Sequence, residues 1–110
     1  MILPNADRAI VEIEKLRDYC LSSSHPRGRH KARVFATTLG ITADNAEELR
    51  QAILAAVLSE EAFPTVQDEY GQRYTVDFTI IREGRQASIR TSWIIRAREG
   101  YPRLTSCYVL

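Results

Sequence analysis

Cysteine and histidine are both scarce in this chain, with two of each among 110 residues. Cys20 and Cys107 show no CxxC spacing, His25 and His30 form no HxxxH pair, and no cluster of carboxylates flanks them. That excludes the common zinc ligand patterns, so no metal and no cofactor is expected. It also excludes a disulfide framework. Two free thiols are expected in a reducing compartment, with a single disulfide as the alternative. No run approaches the roughly 18 apolar residues of a membrane helix, so no membrane partner is expected. Residues Met1–Asn5 lack the charged start and long apolar run of a secretory signal, and the cytoplasm is the expected location. The GxGxxG, GxxxxGKS/T and GxSxG motifs are all missing, which removes dinucleotide-binding, P-loop and α/β-hydrolase chemistry. Internal repeats, low-complexity stretches and linkers are missing too.

What remains is an ordinary globular composition, 45% hydrophobic and 26% charged, at a length suited to one domain spanning residues 1–110. A chain of this size buries a working core without metals or disulfides. The net charge of +1 hides a strong segregation. Residues 19–43 carry Arg27, Arg29, Lys31 and Arg33 and no acid, whereas residues 44–69 set seven acids against Arg50. Residues 70–110 set seven arginines against Asp77, Glu83 and Glu99. If the two basic segments meet in space they make a cationic patch that attracts phosphates. If they do not meet, they are solvated faces.

Hydrophobic periodicity divides the chain in two. Residues 9–21 read as a helix with Ile13, Leu16, Tyr19 and Cys20 inward, although its β-branched first residues also suit an extended segment. Ser22–Pro26 breaks it. A second helix is expected over residues 26–39, with Ala32, Phe35, Ala36 and Leu39 buried, Gly28 at the buried edge and Gly40 as a left-handed cap. A third starts with capping-box spacing at Asp44 and Glu47, buries Leu49, Ala52, Ile53, Ala56 and Val57, and cannot continue through Pro64. From Tyr70 the period changes to two. Tyr74, Val76, Phe78 and Ile80 form one stripe, and Ile89, Thr91, Trp93 and Ile95 the next. Leu104, Ser106 and Tyr108 alternate with Thr105, Cys107 and Val109. Turns are expected at Gly84 and at Gly100–Pro102. The expectation is an α+β fold, N-terminal helices packed on a C-terminal antiparallel meander.

Chemistry-bearing residues concentrate in two places. The run His25-Pro26-Arg27-Gly28-Arg29-His30-Lys31-Ala32-Arg33 sets two imidazoles and several cations at a helix start. Helix N-termini favour anions, and Arg27, His30 and Lys31 share one side of such a helix. A solvated amphipathic helix is the plain alternative. His25, just before the helix, suits general acid or base work near neutral pH, or it simply caps. On the last strand, Ser106 and Tyr108 leave the same face and offer a hydroxyl and a phenol for a phosphate or a proton. Arg90 and Ser92 share a face of the neighbouring strand, and whether it is the same face depends on the register.

The run Lys15-Leu16-x-x-Tyr19-Cys20-Leu21, then His25-Pro26-x-Gly28-x-x-Lys31-Ala32-Arg33-x-Phe35 and Leu39-Gly40, resembles a bacterial domain family of formally unknown function. So do Thr91-Ser92-Trp93-Ile94-Ile95 and Pro102-Arg103-Leu104-Thr105-Ser106-Cys107-Tyr108. That family is similar to the barnase, EndoU, colicin and RelE group of toxin-like ribonuclease folds. The resemblance implies metal-independent RNA cleavage. By that resemblance His25, Lys31, Ser106 and Tyr108 are the catalytic candidates, and Arg90 and Thr91 substrate-binding ones; Arg27 and His30, on the helix side shared with Lys31, complete the substrate-binding set. It also implies RNA and a small, SH3-like antitoxin as partners. The alternative is a non-catalytic RNA- or protein-binding module in a stable complex with a small partner.

Overall fold

The computed structural model describes all of Met1–Leu110 and is built from three helices and a four-stranded antiparallel sheet in the order β1-β2-β3-β4. The β-branched start of the first segment is extended: the Ile10 N–H donates to Pro102 O at 2.9 Å, and the Leu104 N–H donates to Ile10 O at 3.0 Å. Helix α1 follows as an α turn at Ile13–Lys15 and a π turn at Leu16–Cys20, closed by the Leu21 N–H on Leu16 O at 2.8 Å. The wider turn carries one extra residue, so Leu16, Cys20 and Leu21 are all buried. Helix α2 spans Arg29–Leu39 and buries Ala32, Phe35 and Leu39. Gly40 ends it at φ 68°, and the Gly40 and Ile41 N–H groups return to the carbonyls of Ala36 and Phe35.

Helix α3 spans Ala46–Ala56 and buries Ala46, Leu49 and Ile53, with Val57 just beyond. Its start differs from the expected Asp44/Glu47 box. Thr42 caps a 3-10 turn at Ala43–Asn45 that runs into the helix, and its N–H donates to Asn45 Oδ1 at 3.0 Å. Asn45 therefore takes the role expected of Glu47, which instead pairs with Arg50.

The sheet holds β1 (Ala62–Asp68), β2 (Gly71–Arg82), β3 (Arg85–Arg96) and β4 (Pro102–Val109). β1 lies outside the expected elements. It is an edge strand, exposed beyond Ala62, and an edge tolerates Pro64 because no inner ladder needs that missing N–H. The β2–β3 hairpin is continuous from Gly71↔Arg96 to Arg82↔Arg85, around Glu83 and Gly84 at φ 50° and 78°. Positive φ at both turn residues matches the twist of the flanking strands. The β3–β4 pairing shifts by one residue between Ser92↔Ser106 and Trp93↔Leu104. That bulge at Thr105 corrects the expected alternation: Leu104 and Cys107 both face the core, while Ser106 and Tyr108 share the outer face. One core of 19 buried residues joins the helices to the inner sheet face, including Leu16, Phe35, Leu49, Ile53, Val76, Ile89 and Trp93. No helix is long and apolar enough to cross a membrane.

Candidate functional site

The register settles which side chains meet. Asp77, Arg90 and Tyr108 are cross-strand partners on the outer face, and Thr75, Ser92 and Ser106 are the neighbouring row. Arg90 donates to both oxygens of Asp77, at 2.9 and 2.8 Å, and lies opposite Tyr108 on the neighbouring strand. Asp77 first, with Tyr108 beside it, holds Arg90 firmly charged. From α2, Lys31 sets its Nζ 4.9 Å from the centroid of the Tyr108 ring. The phenol thus has an ammonium on its face and the Arg90 side chain as its cross-strand neighbour. Beside it, Ser106 Oγ is buried with no hydrogen-bond partner. Such an orphaned hydroxyl is rare inside a protein and costly.

Of the sequence candidates, Lys31, Arg90 and Tyr108 come together, with Ser106 in the adjoining row. His25 does not join them by a hydrogen bond. Its Nδ1 accepts from the backbone N–H groups of Arg27 and Gly28, at 3.0 and 3.2 Å, and its ring stands edge-on to Tyr19 at 4.8 Å. A neutral ring with Nδ1 accepting carries its proton on Nε2. Gly28 lies against Tyr19 so closely that a Cβ would strike the Tyr19 carbonyl. Arg27 and His30 are exposed. Thr91 is a correction to the substrate-binding set. It is fully buried on the core face, where its hydroxyl donates to Val76 O at 2.6 Å and accepts from Trp93 Nε1 at 2.8 Å. Its position one residue from Arg90 sends it to the opposite side of the sheet.

Two neighbours escaped the sequence reading. Asp77 fixes Arg90, and the two-residue turn at Glu83–Gly84 was the signal that pairs them. The cysteines, distant in sequence, are buried free thiols in contact between α1 and β4. The neighbouring Cys107 thiol lowers Cys20 to about 7 despite its burial, with Lys31 nearby assisting. The Cys20 sulfur beside it, and burial, push Cys107 well up.

The start of helix α2 is strongly cationic. Arg27, just before it, and Arg29, Lys31 and Arg33 within it form no ion pair, as is also true of Arg8, Lys15, Arg85 and Arg98, whereas Arg50, Arg73, Arg82, Arg90, Arg96 and Arg103 all do. Its first turn holds no acid. Cations at a helix N-terminus oppose the macrodipole, and like charges four apart, as at Arg29 and Arg33, cost about 0.2–0.5 kcal/mol. The local charge arrangement thus costs stability rather than adding to it. No group of three or more His, Cys, Asp or Glu is placed to hold a metal ion.

Residues 2–110 match the model of a family described as a domain of unknown function, DUF6883, and the chain belongs to that family. No curated protein and no solved structure matches it.

Proposed function

We propose that this member of the DUF6883 family is a metal-independent endoribonuclease, the toxin of a toxin–antitoxin pair. The observation that carries the reading is the junction of Lys31, Arg90 and Tyr108 beside the unpartnered Ser106 hydroxyl, on the flank of a helix whose cations lack protein counter-charges. The resemblance to the barnase, EndoU, colicin and RelE group, which carries histidine and a basic residue on the helical part and a hydroxyl-x-tyrosine pair on the last strand, supports it.

The reaction needs few parts. The ribose 2′-OH gives up its proton and its oxygen bonds to the adjacent phosphorus. The bond from phosphorus to the 5′ oxygen breaks, and that oxygen takes a proton. The products are a 2′,3′-cyclic phosphate and a 5′-hydroxyl. Lys31 and Arg90 face the charge that builds on the phosphoryl oxygens, Tyr108 carries a proton and Ser106 ligates the phosphate. His25 has Nε2 as its only free nitrogen, so its acid–base role runs through that atom. Arg27 and His30 extend the RNA-binding surface. A neutralising partner, such as a small SH3-like protein, would cover α2 with acidic groups. The test is purified protein with total RNA in EDTA, with analysis of the cut ends. Cyclic-phosphate ends, and resistance of 2′-O-methyl RNA, are expected. RNA left intact at high protein excess would overturn the assignment.

One observation favours a second reading, a non-catalytic RNA- or protein-binding module. The His25 Nδ1 is spent on the backbone, and the ring touches none of the other candidates by a hydrogen bond. RNA retained but uncut in the same assay selects this reading.

A further inference from the structure

On the other flank of α2 lies a cleft of about 590 Å³, within the roughly 300–1,000 Å³ of small-ligand sites. It opens between the helix, the Ser22–Ser24 loop and the Thr42–Asp44 turn. Leu21, Ala32 and Ala36 give it an apolar floor, and Ala32 and Leu21 are buried. Arg29 and Arg33, one helical turn apart, stand over that floor, exposed and without an ion pair. Ser22 Oγ is committed to the His25 and Ser24 N–H groups, at 3.2 and 3.4 Å, and this holds the loop in shape. Ser23, also exposed, has no hydrogen-bond partner for its hydroxyl. Arg17, at the rim, is tied to Asp18 at 2.9 Å. Asp44, on the Thr42–Asp44 turn, is the only carboxylate in the lining.

We propose that this cleft is a nucleotide-binding site, with a phosphate on Arg29 and Arg33 and a base or ribose on the floor of Leu21, Ala32 and Ala36. Two adjacent guanidinium forks suit the tetrahedral oxygens of a phosphate. The apolar floor suits the face of a base, which inorganic phosphate lacks. Asp44 repels a second phosphate and accepts from a ribose hydroxyl or a base N–H, which fixes the polarity of the ligand. Lys31 projects from a different side of α2, about 200° around the helix from Arg29, so this site is separate from the junction at Tyr108. Its assignment does not depend on RNA being cut.

The full-length, isotope-labelled protein is titrated with AMP, with inorganic phosphate and with a 2′-O-methyl tetranucleotide, and amide shifts are followed. AMP and the tetranucleotide are expected to move Ser23, Ser24, Ala43 and Asp44, with phosphate binding more weakly than AMP. The Arg29→Ala/Arg33→Ala variant should weaken AMP by about tenfold or more. Arg29→Lys/Arg33→Lys, which keeps the charge, covers the case of a misfolded alanine variant and should lose less. A tetranucleotide binding about tenfold tighter than AMP assigns the cleft to an RNA strand, and equal affinity assigns it to a free nucleotide. Shifts confined to other residues, or binding indifferent to both double variants, would overturn the proposal. Uncut RNA together with AMP bound here would remove the ribonuclease reading and leave this one standing.

Discussion

The Lys31 ammonium stands 4.9 Å from the centroid of the Tyr108 ring, joining the first turn of α2 to the end of β4. A cation over a phenol face contributes about 0.5–1 kcal/mol at an exposed site. That is too little to explain four unpaired cations on one short stretch. The contact is better understood as positioning: it holds a charge beside a phenol whose cross-strand partner is Arg90.

Lys31→Ala and Tyr108→Phe should therefore each lower RNA cleavage by about 10²–10⁴-fold, the range for losing one proton-transfer or charge-stabilising group. Melting temperatures should barely move, because neither change opens a core cavity. Initial rates on a fluorogenic RNA in EDTA, with melts run alongside, make the check. A large loss of stability with no loss of rate per folded molecule would reduce both residues to packing.

Gly28→Ala should destabilise the protein by about 1–3 kcal/mol, as expected where an added methyl has no room. The Cβ would meet the backbone carbonyl of Tyr19, and a backbone atom cannot swing aside as a side chain does. Urea unfolding measures the effect. Because the same shift displaces His25 and Tyr19, cleavage should fall as well, even at temperatures where the variant is folded. Unchanged stability would mean that the loop has slack the structure does not exhibit.

Thr91→Val should cost about 1–3 kcal/mol, since it strands the buried Trp93 N–H. Thr91→Ser keeps the hydroxyl and should recover most of that loss. Both variants should cleave RNA at the wild-type rate when folded, because Thr91 faces the core. A rate defect in Thr91→Ser without a stability defect would return this residue to the site.

Thr91 also marks where sequence reading stops. The period-two stripes of β2 and β3 placed Val76, Phe78, Ile89 and Trp93 inward, as found, because alternation is a direct imprint of a one-sided core. A stripe does not say whether a threonine within it faces a ligand or a tryptophan. The pairing of Asp77 with Arg90 was within reach once Glu83–Gly84 is taken as a two-residue turn, since that fixes every rung of the hairpin. The β4 register was not legible: the bulge at Thr105 depends on how Leu104 and Cys107 fit the core together. β1 was hidden because its side chains are exposed and carry no alternation. Lys31 and Tyr108 were named separately, but only the fold puts them in contact.

Acid sensitivity should be concentrated in Glu99. Arg103 donates to both of its oxygens, at 2.9 Å in each case, and the Tyr101 hydroxyl adds a third contact at 3.1 Å. Arg103 first, then Tyr101, hold this carboxyl below its ordinary value of 4.5. A carboxylate lowered in the folded state adds stability that is complete above the unfolded value and fades as pH falls through the folded one. The melting temperature should thus hold steady from pH 7 to about pH 5 and drop below it. Glu48, lowered by Arg82, pulls in the same direction. Glu99→Gln should melt lower at pH 7 and show a shallower decline toward pH 3, since a neutral amide has no proton to gain. Parallel curves for wild type and variant would assign the acid sensitivity to other carboxylates, with Arg82–Glu48 the next pair to remove.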